Sequence, residues 1–418
     1  MEGVSTAAEK TFVPWVEKMV DVLQSRCEEV GTCTGFLRII NLGTGNGDDS
    51  KADRFTVTFP YGGQHLKWEV IFNANYPHLP PDFIFIGEEE SFFPEMDNLK
   101  HLCNWNANNP AMLFLVVREL VGEYRDHHLR LLAGSRLEFE YNSLISDEAL
   151  TTTKGSAADD DDDDGGGDDD DDEKGSKMAV EVHVAENEEG QLGPVQFMVR
   201  LPVNFKSLPP VFNEENQGED KVLILVTFQS LEGGNVRTQK CLSPRVEAAF
   251  SKLGGLPPIS FPHEGCINDY ISSITQHVQK MVDQLCESFE RRREYISHAV
   301  SLLASHIIEF DAITFWRADF LFEEDNGHHT TATTPQHKPQ RTPPHKVDLP
   351  MKFPSEQPIL TFISTCNLHS SLVQPMQKVN RSYPFSPRWS THEMVTRLRQ
   401  YVTERLPGVD RDLNALST

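Results

Sequence analysis

The sequence predicts an α+β protein in which a helix packed on an antiparallel four-stranded sheet recurs in tandem. Three observations carry this. Apolar residues keep helical spacing over the first ordered segment, change to alternation over the next ones, and then return to helical spacing. An aromatic-proline turn leading into a phenylalanine-bearing strand occurs twice. A run of aspartates and glycines divides a chain of 418 residues, too long for one hydrophobic core.

Residues 1–10 read as a flexible N-terminus. From Thr11 to about Glu29, Phe12, Val13, Val16, Met19, Val20 and Leu23 recur at helical spacing, with Pro14 acceptable in the first turn. Phe36–Ile40, Arg54–Phe59 and Leu66–Phe72 read as strands, the last two joined through a Tyr61-Gly-Gly63 turn. Tyr76-Pro-His-Leu-Pro-Pro81 is a rigid turn, because prolines remove backbone donors that a helix or central strand needs. It feeds a fourth strand, Asp82–Ile86, and helices at Ala111–Leu132 and Ser135–Leu144 complete a domain over 11–148.

Residues 149–177 form an acidic linker: like charges in Asp159–Asp164 and Asp168–Glu173 repel one another and bury no apolar surface. A middle domain over 178–265 carries strands at Glu181–Val184, Val195–Leu201 and Lys221–Phe228. A third domain, 266–405, opens on a long helix (Asn268–Ala304) in which Glu290–Arg293 reads as a charged face. Strands follow at Ile307–Phe310, Phe315–Phe322 and Ile359–Ile363, around a His-, Thr- and Pro-rich surface insertion at 323–345. A helix from Thr391 to Arg405 starts with Ser390 and Glu393 at capping-box spacing, and 406–418 is a tail.

The bulk properties limit function. The net charge of −25, about half of it from the acidic tract, disfavours direct nucleic-acid binding. No apolar run reaches membrane-spanning length, and no membrane association is expected. The seven cysteines are scattered without a C-x-x-C pair, which fits reduced thiols in cytoplasm or nucleus.

The repeated turn pairs Tyr76, Pro77, Pro80 and Pro81 with Phe353, Pro354 and Pro358. Together with the helix and strands before it, this pattern resembles the ubiquitin-conjugating (E2) fold and its inactive variants, where the prolines lock the turn ahead of the fourth strand. The resemblance implies tandem E2-variant (UEV) domains, with an RWD-like relative in the middle. An active E2 needs His-Pro-Asn shortly before a nucleophilic cysteine. Here the matching stretch, Phe93–Trp105, lacks it, and Cys103 stands too close to Trp105. No catalytic residue is assigned. His127-His128 and His328-His329 are adjacent pairs that read as solvated surface, and the chain lacks the His-x-His of a JAMM-type zinc site. Gly43–Gly47 lacks the Gly-Lys-Ser/Thr of a phosphate loop. No cofactor or metal is expected.

Dispersed blocks narrow the resemblance: Asp53–Phe55, Leu66–Ala74, Tyr76–Phe85, Leu242–Glu247, Arg292–Ile296 and Tyr383–Trp389. In order, they resemble the brain-and-reproductive-organ-expressed (BRE) family, the E2-variant subunits of the BRISC deubiquitinase and of its nuclear DNA-damage-response counterpart. The resemblance implies a non-catalytic scaffold with roles in DNA damage response and signalling. The partners it implies are a JAMM-type deubiquitinase with its pseudo-enzyme partner and a von Willebrand A-like subunit, with ubiquitin a further candidate. Tyr383, Pro384, Pro387, Arg388 and Trp389 are candidate docking residues; core capping by Trp389 is the competing reading. Two alternatives remain: an active conjugating enzyme using Cys103, or an acidic histone-binding protein.

Overall fold

A computed structural model describes residues 11–45, 51–87, 92–152, 178–186, 190–209, 219–262, 265–321, 344–365, 375–380 and 383–415. The chain divides into two compact units. The first comprises Met1–Asn204, Glu215–Val246 and Pro257–Val278; the second comprises Phe205–Glu214, Glu247–Leu256 and Gln279–Thr418.

In the first unit, β1 (Thr11–Phe12) leads into α1 (Pro14–Ser25). Pro14 occupies the first helical position, where a missing N–H costs nothing. Val16, Met19, Val20 and Leu23 form the buried stripe. A single 3₁₀ turn follows, ended by Gly31 in the left-handed region at φ 98°. The chain then forms β2 (Arg38–Gly43), β3 (Lys51–Ala52, parallel to β1), β4 (Arg54–Tyr61), β5 (Gln64–Ile71) and β6 (Asp82–Ile86). Strands β2-β4-β5-β6 make an antiparallel meander.

The alternation read from the sequence sets its inner face. Phe55, Val57 and Phe59 of β4 and Leu66, Trp68 and Val70 of β5 are buried. Trp68 is fully buried, with Phe59 and Phe85 edge-on at 4.8 and 5.4 Å. Each such side chain contributes about 1.5–3 kcal/mol by leaving water. The core is closed by α3 (Met112–Leu132), after a short α2 (Lys100–Cys103); α4 (Arg136–Thr152) follows.

A second antiparallel sheet belongs to the same unit: β7 (Ala179–Glu186), β8 (Leu192–Arg200), β9 (Val222–Ser230) and β10 (Gly233–Leu242), in the order β10-β9-β8-β7. Both faces of β9 are covered, so Val222–Val226 reads as one apolar run rather than alternating. One face stacks Val182, Phe197 and Val226 in register, with Phe228 against Phe261. The other face, with Glu181, Met198 and Leu225 in register, meets the 11–152 module. Strand β10 and α5 (Pro244–Lys252) are additions to the sequence reading. β10 is an edge strand with exposed Arg237, Gln239 and Lys240, which leaves it without an apolar signature.

Helix α6 (Ile267–Leu302) gives its first turns to this unit and its remainder, from Gln279, to the second. There β11 (Ile307–Phe310), β12 (Arg317–Leu321), β13 (Pro344–Asp348), β14 (Ile359–Thr365) and β15 (Pro375–Asn380) pair antiparallel in sequence order. This corrects the expected four strands to five. β15 is polar, begins with proline and lies at the edge, where a proline N–H is not needed by the ladder.

A second correction concerns His345, expected in a surface insertion. It is fully buried in β13, opposite Phe320 and Phe362, because His345 and Val347 take the inward alternation of that strand. Residues 323–343, like the acidic tract, lie outside the described residues. Helix α7 (Thr391–Ala415) completes the unit and continues past the expected end at Arg405. It buries Met394, Val395, Leu398 and Val402 in one core with Tyr295, Ile296 and Ala299 of α6.

Candidate docking surfaces

The stretch from Phe93 to Trp105, which includes Cys103, is held by local contacts. The exposed Cys103 thiol donates to the Asp97 carbonyl at 3.2 Å. Glu119 of α3 clamps α2, accepting from the His101 N–H at 3.0 Å and meeting His101 Nδ1 at 2.7 Å. The amides of Asn98 and Asn104 donate to Glu95 (2.6 Å) and to the Lys100 carbonyl (2.8 Å). An oxyanion stabiliser must aim its donor at the reacting oxygen, and each of these amides has one N–H engaged in local structure. Among the described residues, no group of three or more His, Cys, Asp or Glu could hold a metal ion.

The first proline turn is tied down from behind and open in front. Trp105 Nε1 donates to the Pro77 carbonyl at 3.2 Å, and its ring lies 6.0 Å from that of Phe72. Pro81 is buried and Pro77 half-buried, whereas Pro80 is exposed. Tyr76 is 54% exposed. Leu79, Ile84 and Ile86 are exposed as well, so apolar surface continues from the turn along the edge strand β6. The second turn is built the other way round. Phe353 is fully buried against Tyr295 (5.5 Å) and Phe385 (6.4 Å), Pro354 is half-buried and Pro358 is buried. The same motif thus serves a surface in one unit and a core in the other.

Over Tyr383–Trp389 the structure separates anchors from exposed positions. Tyr383 is buried, and its carbonyl accepts from Gln357 Nε2 at 2.9 Å. Trp389 packs half-buried on the core, with the Arg397 guanidinium 5.7 Å from its ring. Pro384, Pro387 and Arg388 are exposed.

A buried polar seam in the first unit escaped the sequence reading. His128, expected on the surface, is buried and accepts the Val184 N–H through Nδ1 at 3.2 Å. Its ring lies 4.8 Å from that of His183. Burial lowers both, His128 to about 2, helped by His183 and His127, and His183 to about 4. Beside them Glu181 is buried, and burial pushes its carboxyl up to about 7 against the opposing pull of the Gly62 and Cys33 N–H groups. A signal for His128 existed: it lies four residues beyond the buried Tyr124 on α3, so its helical position places it on the inner face.

Comparison with known proteins bears on the whole chain. A family model described as brain and reproductive organ-expressed protein (BRE) matches residues 9–155 and 170–368. A protein of Branchiostoma floridae named BRISC and BRCA1-A complex member 2 is 33% identical over 385 residues, covering 90% of each chain. A Danio rerio protein of the same name is 33% identical over 359 residues, covering 85% of this chain and 82% of its own.

Proposed function

The chain belongs to the brain and reproductive organ-expressed (BRE) family, and from that premise we propose that it is a non-catalytic scaffold subunit of a BRISC- or BRCA1-A-type complex. The observation that carries this is the family match over most of the chain, joined to relatives whose names describe complex members. The surroundings of Cys103 support a role without chemistry: an exposed thiol whose neighbouring amides are engaged in capping gains no help toward a thioester. In this reading, the regions 11–148 and 266–405 are E2-variant modules and 178–265 is an RWD-like one. The helix followed by the β2-β4-β5-β6 meander and the proline turn supports the assignment for the first region.

The partners are a JAMM-type deubiquitinase with its pseudo-enzyme partner and a von Willebrand A-like subunit, with ubiquitin as an additional ligand. The scaffold works in cytoplasm and nucleus, in signalling and the DNA damage response. The exposed Pro384, Pro387 and Arg388 and the surface from Tyr76 to Ile86 offer docking positions.

Affinity purification of the full chain from its native cells, followed by mass spectrometry, tests the proposal. A JAMM-type protease is expected among the co-purifying proteins at near-stoichiometric amount. Its absence overturns the scaffold reading.

A further inference from the structure

Helix α6 carries a positive charge into the interior of the second unit. Arg292 is 1% exposed, and its Nη1 donates to the Met351 carbonyl at 3.1 Å. Its Nε is buried and has no partner among the described residues. Buried charges are ordinarily paired, because the interior solvates them poorly. Here no buried carboxylate is at hand: those among the described residues are Asp53, Glu140 and Glu181, and all three lie in the first unit.

Two further donors belong to the same end of the core. Phe289, one turn before Arg292 on the same face of α6, packs its ring 5.5 Å from that of Phe315. Phe315 takes φ 54°, rare for a bulky side chain, and stands between Thr314 and Trp316. The Trp316 carbonyl accepts at 2.7 Å from the N–H of Leu349, two residues before Met351. The loop before β12, the segment after β13 and one face of α6 therefore come together beside Arg292. Trp316 Nε1 and Thr314 Oγ1 are buried in that loop, again without a partner among the described residues. The loop's own carboxylate is spent on its backbone: Asp311 Oδ1 accepts the N–H groups of Ile313 and Thr314 at 3.0 and 2.9 Å.

Guanidinium and indole N–H groups only donate, and a hydroxyl donates as readily as it accepts. What this set lacks is an acceptor that also carries negative charge. Water supplies lone pairs but leaves the charge unanswered. A divalent oxyanion would leave a net negative charge in the interior, whereas a monovalent anion cancels the guanidinium. We propose that Arg292 Nε, Trp316 Nε1 and Thr314 Oγ1 form an interior site for a small monovalent anion of the chloride class, which neutralises Arg292 and ties α6 to the loop before β12.

Urea unfolding of the full chain tests this, with chloride replacing gluconate at constant ionic strength from a chloride-free start. The wild-type folding constant is expected to rise about tenfold, the effect of a ligand present at ten times its Kd. The Arg292→Met variant, carried through the same series, is expected to show no such rise, which separates the site from general salt effects. A wild-type constant that does not move overturns the proposal, and so does an equal rise in the variant. Should Arg292→Met fail to fold, crystals of the wild type grown in bromide decide. An anomalous-diffraction peak within hydrogen-bond reach of Arg292 Nε supports the site. Bromide found at the surface as an adventitious ion only, or none at all, sinks it.

Discussion

Arg292 was read with its neighbours as part of a charged helix face, and the structure divides the run. Arg291 pairs with Glu294 at 3.3 Å and Arg293 with Glu290 at 2.8 Å, both at the surface. Arg292 between them is 1% exposed, donating to the Met351 carbonyl at 3.1 Å and touching its sulfur at 3.8 Å. Among the described residues no carboxylate answers it, and burial lowers its guanidinium to about 10. A buried cation without a counter-charge costs more than a well-packed apolar side chain of similar size. Arg292→Met is therefore expected to stabilise the protein by about 1–3 kcal/mol, read as a higher urea midpoint at neutral pH. A lower midpoint would assign Arg292 a structural role that its hydrogen bonds do not account for. The sequence could not separate the three arginines, because one helical position decides whether each meets water or the core.

At the scale of elements, local pattern and structure agree most closely where one face is buried and the other wet. β4, β5 and β6 stand almost where the alternation puts them, and α3 begins one residue from its expected start. Elements without that contrast were missed: β10, polar and at an edge; β15, opened by proline; and α5, a helix of nine residues. The capping box at the start of α7 is half formed. Ser390 Oγ accepts the Glu393 N–H at 3.2 Å, but the Glu393 carboxylate turns outward to Arg397 at 2.8 Å. One capping bond remains to be lost, so Ser390→Ala is expected to cost about 1 kcal/mol in denaturant unfolding. A change within error would mean that another donor or water satisfies the first turn equally well.

Over the whole molecule, the acidic tract and the division into two compact units bear on how the proposed scaffold role is tested. Asp159–Glu173 carries about half of the net charge of −25, and runs of one sign act through long-range, salt-screened fields rather than fitted contacts. The proposed role as a linker predicts that deleting Asp159–Glu173 leaves co-purification of the proposed partner subunits unchanged at physiological salt. Loss of those partners, with the far-ultraviolet circular dichroism intact, would favour the acidic-binding reading instead.

By itself the sequence determined the helices and strands that bury one face and wet the other, the β4–β5 hairpin through Gly62-Gly63, the proline turn before β6, and membership of the BRE family. These are legible because apolar period, turn residues and family blocks are local in the chain. Only the tertiary structure decided that Tyr76 faces outward while Phe353 fills a core, that His128 and His345 are interior, and that Glu181 joins β7 to Cys33 and Gly62. A buried polar group is identified by the donors that reach it from distant segments, and residues 33, 62 and 181 come together only when the sheets pack.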